Sequence, residues 1–318
     1  MEEPKINEFY CHMPLHEVRL SVTGGCNHDC FYCGPFSDGK HSDSKDFRKL
    51  TLNQIEEIGS LLDQKNLHIQ ITGGEPSLRK DLEQIVEILR KKGNSDIGLT
   101  TNCSYMSGDI LSNLVKRGLK DIHIHVPSFD RGVFERTIRR EARDTIDRMY
   151  DTTRRAKSLG IRVEFNMPIT KINVDSLPEI MSFCYKNGVN CKLIEVVSLE
   201  HDRINFLQIS DSMKRWLKEE GINPVQRPKD PRWYGEVYDF KEGFFFRIAP
   251  TTPFLMDNLK GRKTQTVLDG RYWIGGANEN YLFNASYFPV PHIGNIDALK
   301  ADLEKTIRTY QLTKDEKK

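Results

Sequence analysis

Between about residue 18 and residue 196, short runs rich in β-branched residues alternate with longer stretches whose apolar residues recur every three or four positions. That rhythm predicts repeated strand–helix units around a parallel sheet, an α/β fold. Six runs are predicted as strands: VRLSVT (Val18 to Thr23), HIQIT (His68 to Thr72), IGLTTN (Ile97 to Asn102), IHIHV (Ile122 to Val126), VEFNM (Val163 to Met167) and KLIEVV (Lys192 to Val197). Between the first two, TLNQIEEIGSLLDQ places Gln54 three residues after Thr51, a capping box, and spaces Ile55, Ile58, Leu61 and Leu62 along one helical face. Leu82, Ile85, Ile88 and Leu89 repeat the pattern after the second strand, and Gly93 offers the stop.

The stretch from Asp130 to Leu159 carries Arg131, Arg136, Arg139, Arg140, Arg143, Arg148, Arg154 and Arg155, but Glu135, Glu141, Asp144 and Asp147 are interleaved at helical pair spacings. It reads as a solvated, ion-paired face rather than a phosphate-binding one. After the sixth strand one more helix, ISDSMKRWLKEEG, gives way to aromatic, turn-rich sequence that reads as hairpins, YGEVYDFKEGFFFRIAP and TVLDGRYWIGG. A boundary is expected near residue 225, giving an N-terminal segment (1–17), a strand–helix body (18–225) and a β-rich extension (226–318) that ends in a helix, DALKADLEKTIRTYQL.

Composition narrows the function. The 318 residues are 38% hydrophobic and 29% charged, the ordinary globular range, and 47 Lys and Arg against 45 Asp and Glu give no global field to hold a polyanion. A dedicated nucleic-acid binder is disfavoured. No apolar run reaches the roughly 18 to 20 residues needed to span a bilayer, and MEEPKINEFY lacks a basic then apolar leader, so no membrane partner and a cytoplasmic location are expected. Seven cysteines, an odd number unevenly spread, do not suit a disulfide framework.

Three of those cysteines, Cys26, Cys30 and Cys33, follow the first strand in a CxxxCxxC arrangement. Thiolates are the usual protein ligands of iron–sulfur clusters, and three on one loop can hold three irons of a cubane, leaving the fourth open to substrate or cofactor. Zinc is the alternative for any cysteine group. A structural zinc site wants a fourth ligand, which His28 could supply only with difficult geometry. Elsewhere, Cys184 and Cys191 read as packing residues, and Cys103 lies after the third strand.

CxxxCxxC with an aromatic residue, Tyr32, before its last cysteine resembles the signature of the radical S-adenosylmethionine superfamily. TGGEP after the second strand, with Gly73, Gly74 and Glu75, is similar to that family's motif for the amino group of S-adenosylmethionine. The resemblance implies a partial (β/α)6 parallel barrel with a smaller C-terminal β-rich extension, one 4Fe-4S cluster on Cys26, Cys30 and Cys33, and S-adenosylmethionine as cofactor. It implies an external one-electron reductant such as flavodoxin or ferredoxin, and cleavage of the cofactor to a 5′-deoxyadenosyl radical that abstracts hydrogen from substrate.

Within the superfamily the chain resembles the molybdenum-cofactor GTP 3′,8-cyclase branch, through VRLSVT, ITGGEPSLRKDL, LTTN, the strand-end Asn166 and KLIEV. By that resemblance Thr101, His125, Asn166 and Glu195 join Tyr32 and the glycine turn at the cofactor, although His125 is equally well a hydrogen-bonded interior histidine sharing its strand face with His123. Arg19, Arg79, Arg262 and Lys263 fall at or near positions that face substrate phosphates in the branch. An arginine near a strand end is otherwise most often a surface ion pair. The branch also carries tail cysteines for a second cluster. Here no cysteine follows Cys191, and Leu255, Asn258 and Gly275 stand near the aligned positions, so a single cluster is expected. The expected substrate is a small polar molecule, nucleoside-like or phosphorylated. A radical peptide-modifying enzyme and a non-catalytic iron–sulfur sensor are the alternatives.

Overall fold

The computed structural model describes residues 16–33, 49–63, 67–196, 204–228, 235–241, 243–249, 271–277, 280–284 and 292–315. In chain order the elements are β1 (Glu17–Ser21), α1 (Leu52–Leu62), β2 (His68–Thr72), α2 (Leu82–Lys91), β3 (Ile97–Thr101), α3 (Gly108–Arg117) and β4 (Leu119–His125). Next come α4 (Arg131–Ile138), α5 (Thr145–Ser158), β5 (Arg162–Ile169), α6 (Leu177–Asn187), β6 (Asn190–Glu195) and α7 (Phe206–Glu219). The last part holds β7 (Val225–Gln226), β8 (Glu236–Asp239), β9 (Phe245–Ala249), β10 (Arg271–Ala277), β11 (Asn280–Asn284), β12 (His292–Gly294) and α8 (Ile296–Asp315). The class is α/β with a mostly parallel sheet, and all six expected strands form.

Two compact units divide the chain. One comprises Met1–Gly25, Pro35–Gly98 and Arg262–Lys318, the other Cys26–Gly34 and Leu99–Gly261. In the first, β1 lies between β2 and β10, parallel to both, and β11 and β12 continue from β10 as antiparallel neighbours. The capping box is built as expected: Thr51 Oγ1 accepts from the Gln54 amide at 3.2 Å and Gln54 Oε1 from the Thr51 amide at 3.0 Å. A cap of this kind contributes about 1 kcal/mol, and it presents Ile55, Ile58 and Leu62 to the core.

In the second unit β3 neighbours β4, and β4, β5, β6 and β9 pair in parallel before β8 and β7 close the edge antiparallel. The hairpin expected from YDFKEGFFF is β8–β9, turned where the Phe240 and Gly243 backbones bond Phe244 and Phe240. Its second strand joins β6, a parallel pairing across sequence distance that local pattern does not announce. Helices cover one face of these strands: Phe165 stacks on Phe183 of α6 at 5.7 Å, and Phe246 lies 5.8 Å from Trp216 of α7. Each such buried aromatic contributes about 2 to 3 kcal/mol through removed apolar surface.

The arginine-rich stretch forms α4 and α5 with the expected short-range ion pairs, Arg131–Glu135, Arg148–Asp144 and Arg154–Asp151. Cys184 and Cys191 are fully buried, in keeping with packing roles. Among the described residues no helix is long and apolar enough to cross a membrane.

Candidate metal centre

The cysteine loop belongs to the second unit, where it is anchored on the end of α4. The last carbonyls of a helix lack partners within it. Here the Asp29 amide bonds the Ile138 carbonyl at 2.9 Å and the Phe31 amide the Thr137 carbonyl at 3.3 Å. Arg139, left-handed at φ 53°, ends the helix, and its guanidinium lies 5.9 Å from the Phe31 ring centre. Between these anchors the loop brings together three free thiols, with Cys26 exposed and Cys30 and Cys33 half-buried. Burial, followed by the neighbouring Cys33 and Cys26 thiols, pushes Cys30 up to about 12.

Polar groups back the loop. The Tyr32 hydroxyl shares a short hydrogen bond with His125 Nε2 and a second with Cys30. His125, lowered to about 3 by burial and then by His28, is a neutral imidazole at physiological pH. His28, lowered to about 4 by burial, packs edge-on to Phe134 at 6.0 Å and shares its Nε2 with Ser104 Oγ at 3.1 Å. Its Nδ1 is buried without a hydrogen-bond partner. One donor atom each of His28, Cys30 and His125 lie within 4.8 Å of one another. Asn102 Nδ2 donates to Asn27 Oδ1 at 3.0 Å and lies 3.9 Å from Cys26 Sγ.

A second candidate feature, in the first unit, is the Gly73–Gly74–Glu75 turn. The Gly74 amide bonds the Thr23 carbonyl at 2.7 Å and the Glu75 amide the Gly25 carbonyl at 2.8 Å. A Cβ on Gly74 would stand 2.2 Å from the Gly25 oxygen, and one on Gly73, at φ +140°, 2.3 Å from the Thr23 oxygen. Only glycine permits two backbones to approach so closely. Glu75 is buried, and its Oε1 accepts from the Ser77 amide at 2.9 Å at the start of a 3-10 turn, Pro76–Leu78.

The other predicted residues are distributed as follows. Thr101 is buried at the end of β3 and accepts from the Cys103 amide at 3.0 Å. Asn166 stands in register with His125 and with Lys192, and its Oδ1 is buried with no partner. Glu195 is buried at the end of β6. Arg19, on β1, pairs with Glu17 at 3.4 Å. Arg79, expected near substrate phosphates, has partners within the protein. It is buried, forms a bidentate pair with Asp81 at 2.8 and 2.7 Å, and donates through Nη1 to the carbonyls of Val22 and Leu50. Its Nη1 thus satisfies two backbone carbonyls, and its Nε and Nη2 the Asp81 carboxylate. Arg262 and Lys263 lie outside the described residues, as do Cys11, Leu255 and Asn258.

Sequence reading missed Asn102 and the charged face of β4–β6 with β9, where Glu164, 4% exposed, forms a short ion pair with Arg247. The alternating IHIH and VEFN runs carried a signal for that face. The pairing of β9 with β6 did not.

The Cys26, Cys30 and Cys33 donor set fits an iron–sulfur group. Three soft sulfurs on one loop, with Cys30 kept from ionising by burial and by its two neighbours, become compatible once a cation is bound, because coordination deprotonates a thiol outright.

Comparison with known proteins bears on the family and the fold. The sequence profile of the radical SAM superfamily matches residues 20–184. The GTP 3′,8-cyclase of Aquifex aeolicus is 30% identical over 251 residues, 76% of each chain. That of Staphylococcus carnosus is 31% identical over 239 residues, 70% of this chain and 66% of the cyclase. The crystal structure of SuiB from Streptococcus suis superposes with a TM-score of 0.59 at 13% identity, over 85% of this chain and 60% of SuiB, a likeness of fold.

Proposed function

The chain belongs to the radical SAM superfamily and is an enzyme of that kind. From that premise we propose that it holds one 4Fe-4S cluster on Cys26, Cys30 and Cys33, binds S-adenosylmethionine, and acts on a small, polar, nucleoside-like substrate in a cyclisation or related rearrangement. The bound cluster and cofactor supply one-electron cleavage that delivers a 5′-deoxyadenosyl radical for hydrogen abstraction. The observation that carries the reading is the grouping of three free thiols on a loop anchored at both backbone and side-chain level.

The residues around that loop have definable work. Asn102 fixes the loop at Asn27, and Tyr32 with His125 holds the ring next to Cys30 against rotation. His28 and His125, both neutral, add no positive charge that would compete with metal. We assign to Gly73, Gly74 and Glu75 the cofactor's amino group, since exposed carbonyls and a carboxylate receive an ammonium. Thr101, Asn166 and Glu195 complete the cofactor contacts in this reading. Residues 226–318 serve to cover substrate, the reductant is a flavodoxin or ferredoxin, and the enzyme works in the cytoplasm. The nucleoside-like substrate draws support from the relatives named GTP 3′,8-cyclase. No cysteine follows Cys191, which supports a single cluster.

Anaerobic reconstitution tests the reading. The protein is expected to bind about four iron and four sulfide per chain, and to form 5′-deoxyadenosine from S-adenosylmethionine under dithionite. Cys30→Ala is expected to lose both while retaining its far-ultraviolet circular dichroism, because a loop contributes little to core packing. Native protein that takes up no iron, or that makes no 5′-deoxyadenosine once loaded, overturns it.

A further inference from the structure

His28 sits inside the cysteine loop, two residues from Cys26 and two from Cys30. It is 9% exposed, and its two ring nitrogens are placed differently. Nε2 is shared with Ser104 Oγ at 3.1 Å, whereas Nδ1 is buried with no hydrogen-bond partner. A buried polar atom left in that state is costly, and it points to a group that arrives with a ligand. One nitrogen of His28 stands within 4.8 Å of the Cys30 sulfur. With Nε2 engaged by Ser104, Nδ1 is the nitrogen left to serve the sulfurs.

The segment after β3 holds that ring in place. Cys103, at φ 64°, takes a left-handed conformation rare outside glycine, and the residues on either side of it both reach the loop. Asn102 bonds Asn27 at 3.0 Å and Ser104 bonds His28. The two contacts are tied together, because Asn102 Oδ1 accepts from the Ser104 amide at 2.9 Å. Ser104 Oγ lies 3.5 Å from Thr145 Oγ1, at the start of α5, and Phe134 of α4 packs edge-on to the His28 ring. A serine hydroxyl rotates to donate or to accept, and a neutral imidazole carries one proton. When Ser104 donates to Nε2, that proton is on Nδ1. Metal-bound sulfurs only accept, so this is the tautomer that suits them. Two N–H groups already stand at Cys26 Sγ, the His28 amide at 3.4 Å and Asn102 Nδ2 at 3.9 Å.

We propose that His28 sets the reduction potential of the cluster by donating a hydrogen bond from Nδ1 to a sulfur on the Cys30 side of the centre, with Ser104 as the positioning residue that fixes its tautomer. One electron from the external reductant adds negative charge to the iron–sulfur group, and an N–H directed at one of its sulfurs is strengthened as that charge arrives. Hydrogen bonds to the sulfurs are among the terms that set such potentials, and this one favours the reduced state. Because the site is buried, the bond counts for more than it would in water. The imidazole acts from outside the ligand set, so an iron position stays open for the cofactor. The inference rests on the cluster reading above and deepens it by naming the side chain that tunes electron entry.

The test is a redox titration of the anaerobically reconstituted full chain, followed by electron paramagnetic resonance in the absence of S-adenosylmethionine. Iron and sulfide content, measured on every variant, shows that the centre is loaded. His28→Phe keeps a ring against Phe134 and removes both nitrogens. It is expected to lower the reduced-to-oxidised ratio about tenfold at a given potential, a midpoint about 59 mV more negative. His28→Asn, whose amide nitrogen can take the place of Nδ1, should recover more than half of that shift. Ser104→Ala should lower the ratio about threefold, since the tautomer is no longer fixed. An unchanged midpoint in loaded His28→Phe overturns the proposal. So does a His28→Asn midpoint as low as that of His28→Phe, because the shift then follows packing rather than a hydrogen bond. Should His28→Phe fail to load, an unchanged midpoint in Ser104→Ala overturns it instead. A strong nitrogen hyperfine coupling from the His28 ring in the native protein, the mark of direct ligation to iron, does the same. Native protein that loads iron and forms 5′-deoxyadenosine while all midpoints stay equal sinks this inference alone. Native protein that takes up no iron sinks the cluster reading and this inference with it.

Discussion

Two regions of the second unit are rich in charge and use it oppositely. On α4 and α5 the arginines meet carboxylates three or four residues away, as in Arg154–Asp151, where the side chains are 78% and 73% exposed. On the face of β5 and β9 opposite α6 and α7 the partners are 83 positions apart, and Glu164 and Arg247 are largely withdrawn from water. The first kind of pair is screened and costs side-chain entropy to hold, so it contributes little. The second has already borne its desolvation, and loss of Arg247 leaves a buried carboxylate without its hydrogen-bonded partner. Counting arginines therefore points to the wrong region, and burial of the pair points to the informative one.

The largest effect that would break this contrast is expected at the sheet. Arg247→Met should lower stability by about 3 to 5 kcal/mol, because the buried Glu164 loses its hydrogen-bonded partner and the largest of the positive charges that offset its own. The double variant Glu164→Gln/Arg247→Met should recover most of that loss. Urea denaturation of both checks it, and equal losses in the two would mean that the pair is not behaving as buried.

An intermediate case lies in the first unit, where Arg79 is buried but its partner Asp81 is partly open to solvent. Hydrogen bonds from Arg79 hold the Asp81 carboxyl at about 2, against an ordinary value near 3.8. A carboxyl depressed in the folded state stabilises fully above its unfolded pKa, and the stabilisation is lost as pH falls through the folded value. The pair should thus weaken between about pH 4 and pH 2. Asp81→Asn should flatten that part of the stability-against-pH curve, measured by thermal melts, and an unchanged acid limb would contradict the assigned partner.

The smallest effect is expected on the helix surface. Arg154→Ala should change stability by less than about 0.5 kcal/mol in urea. A loss as large as that at Arg247 would erase the distinction between the two regions.

Much of the candidate centre was legible in the sequence because its parts are local. The CxxxCxxC spacing, Tyr32 before the last cysteine and the paired glycines before Glu75 each act within one loop or turn, so their order along the chain carries their chemistry. The same holds for the Thr51–Gln54 cap. Arg79 shows what such reading leaves out. Its type and position suggested an anion, and its partners proved to be Asp81 and the carbonyls of Val22 and Leu50, the latter two 57 and 29 residues away.

By itself the sequence determined the alternation that makes strands and helices, the caps that start them and the group of three thiols, since each depends on residues a few positions apart. Tertiary structure alone decided that β9 would lie against β6 and bring Arg247 to Glu164, Lys192 and Asn166. Cross-strand register is set by packing of whole elements, here aromatic stacking on α6 and α7, and no short stretch of chain encodes it.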